Sequence, residues 1–135
     1  MKKKVITKRK FNKKSLKLEL KFDEDTNTAY GKYVVEPHFE GAPDIVHTGI
    51  LATILDETMS VVNQYINIET FTSDLTIRYL RPAFIGENLH IRGWVEKKNN
   101  KGIENRAEIE NDVGKIVARA KGKYIDLKDL PTSQK

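Results

Sequence analysis

The sequence contains no cysteine, and this absence excludes several kinds of chemistry at once. A chain without thiols has no disulfide, no thiolate metal site and no cysteine nucleophile. The three histidines, His38, His47 and His90, are not spaced as metal ligands, so we predict no metal site. The N-terminus is charged throughout and lacks the apolar core of a secretory signal, and together with the missing cysteines this favours the cytoplasm.

Long hydrophobic runs are also missing. No stretch approaches the roughly 20 apolar residues that a membrane-spanning helix needs, so we expect no membrane partner. The 135 residues are 39% hydrophobic and 32% charged, which is the composition of one ordinary globular domain. The chain has no Gly-rich phosphate loop, and Ser60 lacks the Gly-x-Ser-x-Gly setting of a serine hydrolase.

The basic charge is concentrated at the N-terminus. Eight Lys and Arg residues and no acid occur in the first 14 residues, so the rest of the chain is net acidic although the whole carries +5. We therefore divide the chain into a flexible Lys-rich arm (1–14), one folded domain (15–126) and a polar C-terminal tail (127–135). Most such arms are only solvated, so nucleic acid is not an expected partner.

Hydrophobic periodicity predicts six strands and one long helix. The longest apolar-rich run predicts a helix from about residue 49 to residue 66. Alternating patterns predict strands at 15–22, 29–36, 71–81, 87–98, 103–111 and 115–126. Small residues on one face of the last strand would let the helix approach closely. The order indicates an α+β fold, with an antiparallel sheet wrapped around one central helix.

The predicted helix carries its polar residues on one arc of about 120°. The arc comprises Thr53, Asp56, Glu57, Ser60, Asn63, Gln64 and Asn67. On the pattern alone, carboxylates in such a position are usually solvated. Asp56 and Glu57 differ by about 100° around the helix, so they would not act as a paired acid and base. A loop histidine such as His47 is, taken alone, more often structural than catalytic.

A resemblance to a known family changes this interpretation. The segment from His47 to Glu57 reads HTGILATILDE and resembles the His-Gly-Gly…Asp/Glu signature of hotdog-fold acyl-CoA thioesterases. The most similar branch is the phenylacetate-degradation type of the 4-hydroxybenzoyl-CoA thioesterase superfamily. FEGAP at 39–43 and YLRPA at 79–83 are also similar to this family, and the resemblance covers roughly residues 28–124.

The resemblance implies a fold, an assembly and an activity. It implies a hotdog fold in a homodimer or a dimer of dimers (a homotetramer), in which two sheets join and the polar arc faces a partner and a substrate tunnel. The implied reaction is hydrolysis of an acyl-CoA thioester to a carboxylic acid and free CoA. No separate cofactor is implied, because coenzyme A is part of the substrate.

The resemblance also implies roles for individual residues. Asp56 matches the catalytic carboxylate, nine residues after His47, and would act as general base or as nucleophile. The backbone N–H of Thr48 or Gly49 would polarise the thioester carbonyl. Thr72 matches a hydroxyl that helps to orient the nucleophilic water. His47, the first residue of the matching signature, is counted with these four as a candidate catalytic residue.

Four further residues are candidates for substrate binding. Arg81, Arg119 and, with less support, Arg92 could bind the CoA phosphates, although each could equally be an ordinary surface charge. Glu57 is common in this branch of the family, and we count it as the fourth candidate for substrate binding.

The chain departs from the family at Thr48, where glycine is usual. Threonine keeps the backbone N–H and could cap the helix, but its side chain would crowd the approach of the carbonyl and narrow the range of acyl groups. Two other functions remain open: a non-catalytic acyl-CoA sensor, and an acyl-chain dehydratase or isomerase. The lack of a well-placed catalytic histidine beside Asp56 argues against the latter.

Overall fold

The computed structural model describes residues 16–131 and shows one long helix within a run of strands. In chain order the elements are β1 (Glu19–Asp23), β2 (Thr28–Val34), α1 (Thr48–Tyr65), β3 (Thr70–Tyr79), β4 (Asn88–Asn99), β5 (Gly102–Asn111) and β6 (Ile116–Asp126). Short 3-10 turns occupy Pro37–Phe39 and Leu127–Asp129. The predicted α+β class and element order are confirmed. No helix between residues 16 and 131 is long and apolar enough to cross a membrane.

The predicted element ends differ from the observed ones by a few residues. The first strand begins only at Glu19, although Leu16 and Leu18 ahead of it are already buried. The first residues of the predicted tail form a 3-10 turn, anchored by a hydrogen bond from the Leu127 N–H to the Glu69 carbonyl. The Lys-rich arm and residues 132–135 lie outside the described part of the chain, so the domain boundaries stay predictions.

All six strands form one antiparallel sheet in the order β1-β2-β4-β5-β6-β3. β1 and β3 are therefore the two edges. The β3 edge carries exposed aromatic side chains, Phe71 at 52% and Tyr79 at 42% exposure. An unpaired edge with exposed aromatic groups is a surface suited to a partner strand.

A row of small residues crosses the sheet beneath α1. Ala29, Gly93, Ala107 and Ala120 are successive cross-strand partners on β2, β4, β5 and β6. A Cβ on Gly93 would lie 2.9 Å from the methyl group of Thr58, closer than carbon atoms pack. The helix can therefore lie against the sheet only because this row lacks bulk.

The core lies between α1 and the concave face of the sheet. The helix contributes fully buried apolar residues, namely Leu51, Ile54, Leu55, Met59, Val61 and Val62. Each such burial stabilises the fold by about 1.5–3 kcal/mol. This packing fixes the rotation of α1, and with it the direction in which Asp56 projects.

Candidate active site

Asp56 projects from the middle of α1 toward the strands at the β3 edge. Its Oδ1 accepts two hydrogen bonds, from the Thr72 hydroxyl at 3.0 Å and from the Tyr124 hydroxyl at 2.7 Å. Within residues 16–131 no donor contacts Oδ2. The half-buried carboxylate is thus held at one oxygen and left with lone pairs at the other.

The two donors come from adjacent strands. Thr72 on β3 and Tyr124 on β6 are direct cross-strand partners. The β3–β6 register shifts between Thr72 and Asp74, so Ser73 is the extra residue of a β-bulge. In a regular strand with no bulge, strict alternation would place Thr72 on the opposite face from Leu75, which packs against the core. The bulge therefore turns the Thr72 hydroxyl toward α1.

Tyr124 is a site residue that the sequence analysis missed. Its side chain is only 1% exposed, and its ring lies over Gly122, where a Cβ would be 2.6 Å from the ring. Burial, followed by the negative charge of Asp56, raises the pKa of the Tyr124 phenol. A tyrosine on the buried face of a strand needs a hydrogen-bond partner for its hydroxyl. This requirement is the signal that could have identified Tyr124 from the sequence.

Other polar groups on the helix are buried by the chain's own sheet. Glu57 is 8% exposed, and its charge also raises the pKa of Tyr124. Ser60 and Asn63 are buried as well, and the Asn105 amide donates to Asn63 Oδ1 at 3.1 Å.

The expectation of solvated carboxylates is therefore wrong for Glu57, and the idea that the whole polar arc faces a partner is wrong for Glu57, Ser60 and Asn63. The sheet covers more of the helix circumference than an amphipathic pattern indicates. The bond from the Asn105 amide to Asn63 Oδ1 pairs one buried donor with one buried acceptor, although Asn105 Oδ1 itself has no partner among the described residues.

At the start of α1 a histidine closes the first turn. The helix begins at Thr48, and His47 is its N-cap, with Nδ1 accepting the Gly49 N–H at 2.9 Å. The expectation that Thr48 caps the helix is wrong, because Thr48 is already the first helical residue. The Gly49 N–H is occupied, whereas the Thr48 N–H contacts no acceptor among the described residues.

The start of α1, which carries this free N–H, lies beside the end of β3. The Tyr79 hydroxyl donates to the Thr48 carbonyl at 3.2 Å and ties the end of β3 to the start of the helix. Thr48 and Asp56 are eight residues apart, which is about 12 Å along a helix axis. Within one protomer, the N–H and the carboxylate are therefore too far apart to act on the same carbonyl group.

The three candidate arginines lie in two different places. Arg81 follows β3 and its guanidinium donates to the Ile116 carbonyl. Two residues later, the Ala83 carbonyl accepts the Val46 N–H, so the backbone around Arg81 runs beside the start of α1. Arg81 is thus the candidate that the structure brings to the same end of the molecule as Thr48.

Arg92 and Arg119 lie on the face of the sheet that is turned away from α1. The Arg92 guanidinium donates to Glu108 at 2.9 Å and lies 5.6 Å from the Trp94 ring centroid. Arg119 is the cross-strand partner of both Glu108 and Arg78. In the described part of the chain, no group of three or more acidic or histidine side chains could hold a metal ion.

Comparison with known proteins identifies the family. Residues 44–118, more than half of the chain, match the model of the Thioesterase superfamily. The chain belongs to this superfamily. The matched region includes Thr48, Asp56 and Thr72, whereas Gly122 and Tyr124 lie beyond it.

Several solved structures share this fold. One superfamily protein is 25% identical with a TM-score of 0.76 over 81% of this chain, but this chain spans only 53% of its length. The PaaI protein of E. coli, from the phenylacetic acid degradation operon, is 24% identical, with a TM-score of 0.77 over 84% of this chain and 81% of its own.

A hypothetical thioesterase of Streptococcus pneumoniae, solved with coenzyme A, is 19% identical, with a TM-score of 0.71 over 73% of this chain and 80% of its own. No curated protein shows significant similarity to the sequence. The predicted hotdog fold and thioesterase family are confirmed.

Proposed function

We propose that the protein hydrolyses an acyl-CoA thioester to a free carboxylic acid and CoA, in a site shared by two protomers of a homodimer. The observation that carries the proposal is the Asp56 carboxylate, with Oδ1 held by two hydroxyl groups and Oδ2 free. A carboxylate so arranged in a thioesterase superfamily fold is suited to activate or replace a water nucleophile.

The reaction requires an activated nucleophile and a donor to the oxyanion, and the chain offers a group for each. Asp56 either takes a proton from the water that attacks the thioester carbonyl carbon, or attacks that carbon itself and forms a mixed anhydride, which water then hydrolyses to the carboxylic acid and free Asp56. The Thr48 N–H donates to the developing oxyanion, where one such donor typically contributes about 3 kcal/mol. As the tetrahedral intermediate collapses, the C–S bond breaks and the CoA sulfur leaves and is protonated.

The distance along α1 is the reason for proposing a shared site. The oxyanion donor and the carboxylate must both lie about 3 Å from the reacting group, yet they are about 12 Å apart in one helix. A two-fold dimer would bring the Thr48 N–H of one protomer toward Asp56 of its partner. The exposed β3 edge, with Phe71 and Tyr79, is the surface we assign to this contact.

Two features of the S. pneumoniae protein support the proposal. It was crystallised with coenzyme A, which is the leaving group of the proposed reaction. Variants of it replace one aspartate and one threonine by alanine, and those two residues are sixteen positions apart. Asp56 and Thr72 are separated by the same sixteen positions.

The first experiment replaces the carboxylate. Asp56→Asn keeps the size of the side chain and an oxygen that accepts hydrogen bonds, so the fold should persist while kcat for thiol release falls at least about a hundredfold. Asp25→Asn makes the same change in the exposed turn between β1 and β2, away from the proposed dimer contact, and should retain turnover. Unchanged turnover in folded Asp56→Asn would reject the proposed role.

The second experiment tests whether the site is shared. Thr48→Pro removes the free N–H at the first helical position, where proline is well tolerated. His47, with φ −61° and ψ 130°, already has the conformation preferred before proline. Both Thr48→Pro and Asp56→Asn homodimers should be nearly inactive.

Mixed dimers of these two variants contain one intact site if the site is shared. Unfolding the variants together and refolding them should then restore about a quarter of the wild-type activity, since half of the dimers are mixed and each has one working site. If each protomer held a complete site, every site would carry one defect and mixing would restore nothing. Light scattering should show a dimer or larger, and a monomer at micromolar concentration would contradict the proposal.

The second candidate is an acyl-CoA-binding protein without hydrolysis. It is favoured by the threonine side chain at position 48, which stands at the proposed oxyanion donor where the resembling family usually has glycine. Binding of acyl-CoA by the wild-type protein, with no thiol release from any of a panel of acyl-CoAs, would establish this function instead.

A further inference from the structure

Asp56 Oδ1 is contacted from two strands at once, and only one of the two donors lies in the region that matches the family model. Thr72 is within that region, whereas Tyr124 is beyond its end. The contact from Tyr124 is the shorter of the two, 2.7 Å against 3.0 Å. Hydrogen bonds from a hydroxyl to a carboxylate are roughly twice as strong as neutral ones.

We propose that Tyr124 is a positioning residue of the active site, whose hydroxyl fixes Asp56 Oδ1 so that Oδ2 faces the reacting group, and that Gly122 provides the space for its ring. This inference rests on the proposed thioesterase function. It adds a residue from β6 to a site otherwise built from α1 and β3.

Two donors restrict the carboxylate more than one donor can. The terminal torsion of an aspartate is broad, so a single hydrogen bond would leave the carboxylate free to rock. Thr72 and Tyr124 are cross-strand partners and approach the same oxygen from different backbones. Rotation of the carboxylate would break at least one of the two hydrogen bonds to Oδ1. The two bonds together therefore fix the direction of Oδ2.

Gly122 is the residue that makes room for the phenol. A Cβ at this position would lie 2.6 Å from Cε1 and 2.9 Å from the hydroxyl oxygen of Tyr124. Any larger residue would push the ring away from β6 and move its hydroxyl relative to Asp56. The role of glycine here is therefore space for the ring.

The phenol remains a donor throughout the neutral range. Burial raises the pKa of Tyr124, and the negative charges of Asp56 and Glu57 act in the same direction. The Asp56 carboxylate contacts the phenol directly, and the cross-strand partners of Tyr124, Thr72 on β3 and Ile103 on β5, carry no charge. A donor that stays protonated favours the ionised form of the carboxylate it contacts.

Tyr124→Phe removes only the hydroxyl and keeps the ring. We expect kcat to fall about tenfold with KM within about twofold, because the lost bond orients the reacting carboxylate and does not bind substrate.

Tyr33→Phe is the matched control. Tyr33 is also buried, at 2% exposure, and its hydroxyl donates to the Glu36 carboxylate at 2.9 Å. The same chemical change is thus made at a buried tyrosine–carboxylate bond that does not involve Asp56. We expect this variant to keep the wild-type kcat and KM.

Gly122→Ala supplies a second test through displacement of the ring. Its kcat should fall to a similar level, and the double variant Gly122→Ala/Tyr124→Phe should be no slower than either single variant. Additive losses would mean that Gly122 acts independently of the phenol and would overturn its assigned role.

A measurement that needs no turnover completes the test. The 13C chemical shift of the Asp56 carboxyl group at neutral pH is compared in wild type, Tyr124→Phe and Tyr33→Phe, and only Tyr124→Phe should change it. If Tyr124→Phe changes neither kcat nor this chemical shift while Asp56→Asn abolishes turnover, the positioning role is overturned and the proposed function stands. If wild type releases no thiol but the chemical shift changes in Tyr124→Phe, the proposed function fails and the contact of Tyr124 with Asp56 stands.

Discussion

The imidazole Nδ1 of His47 accepts the backbone N–H of Gly49 at 2.9 Å, which makes a histidine the N-cap of α1. The cap uses one N–H of the first turn and leaves the Thr48 N–H free among the described residues. The role of His47 follows from this contact: it holds the first turn in place, so that the free N–H keeps a fixed direction.

The cap predicts a stability difference between two substitutions. His47→Ala removes the acceptor and should lower the free energy of unfolding by about 1 kcal/mol, whereas His47→Asn retains a capping side chain and should lower it by only a few tenths. Urea denaturation of both variants measures the difference. Equal losses would show that the ring contributes through packing and not through its bond to Gly49.

Thr72 should matter through its hydroxyl. Thr72→Ala removes one of the two donors to Asp56 Oδ1, and we expect kcat to fall about tenfold with little change in KM. Thr72→Ser, which keeps the hydroxyl, should recover most of the loss. Thr76→Ala, at an exposed position of the same strand, is the control for a general effect on β3.

Thr48→Gly separates hydrolysis from simple binding. If the wild-type protein is an enzyme, this variant keeps the N–H, removes the side chain beside it and should raise turnover of bulky acyl-CoAs. Because the cap is His47 and not Thr48, the variant should lose no capping bond. Turnover that appears only in Thr48→Gly, with acyl-CoA binding in both proteins, would identify the wild type as a binding protein.

The buried tyrosines predict a loss of stability in alkali. Burial raises the pKa of both Tyr33 and Tyr124 above the ordinary value of 10.0. In the unfolded chain a tyrosine ionises near pH 10, so above about that pH the unfolded state releases protons that the folded state retains. The stability that the protonated tyrosines contribute is fully present below the unfolded pKa, and it is lost as the pH rises toward the folded pKa.

Urea midpoints of wild type and Tyr124→Phe, measured at about pH 8 and about pH 10.5, test this prediction. The decline between the two pH values should be shallower in Tyr124→Phe, because one of the groups with a raised pKa is gone. Parallel declines in the two proteins would show that Tyr124 makes no difference to the alkaline sensitivity.

The sequence was sufficient to predict the order of the elements and the position of the helix. The alternation of a strand and the period of a helix both follow from which residues must be buried. Both patterns can therefore be recognised in the sequence. The polar side of α1 was harder to predict, because Glu57 and Asn63 face a sheet that curls further around the helix than periodicity indicates. Their partners, such as Asn105, lie far away in sequence.

The site was only partly predictable, for two physical reasons. Alternation places Tyr124 on a buried face but does not show that its hydroxyl reaches Asp56, since that depends on the space above Gly122. Alternation would also have turned Thr72 away from the helix, and only the resemblance to the thioesterases placed it in the site. The extra residue, Ser73, has no distinctive sequence signal.

The bulge at Ser73 has a consequence for how the molecule avoids aggregation. β3 is an edge strand, and a straight edge with unpaired backbone groups is a template on which further chains can add. A bulge bends the strand and interrupts the regular spacing of its N–H and C=O groups. An incoming strand in simple register would therefore lose its hydrogen bonds at this point. The bulge therefore leaves the regular part of β3, beyond Ser73, for the proposed dimer contact and disfavours strands that would add along the whole edge.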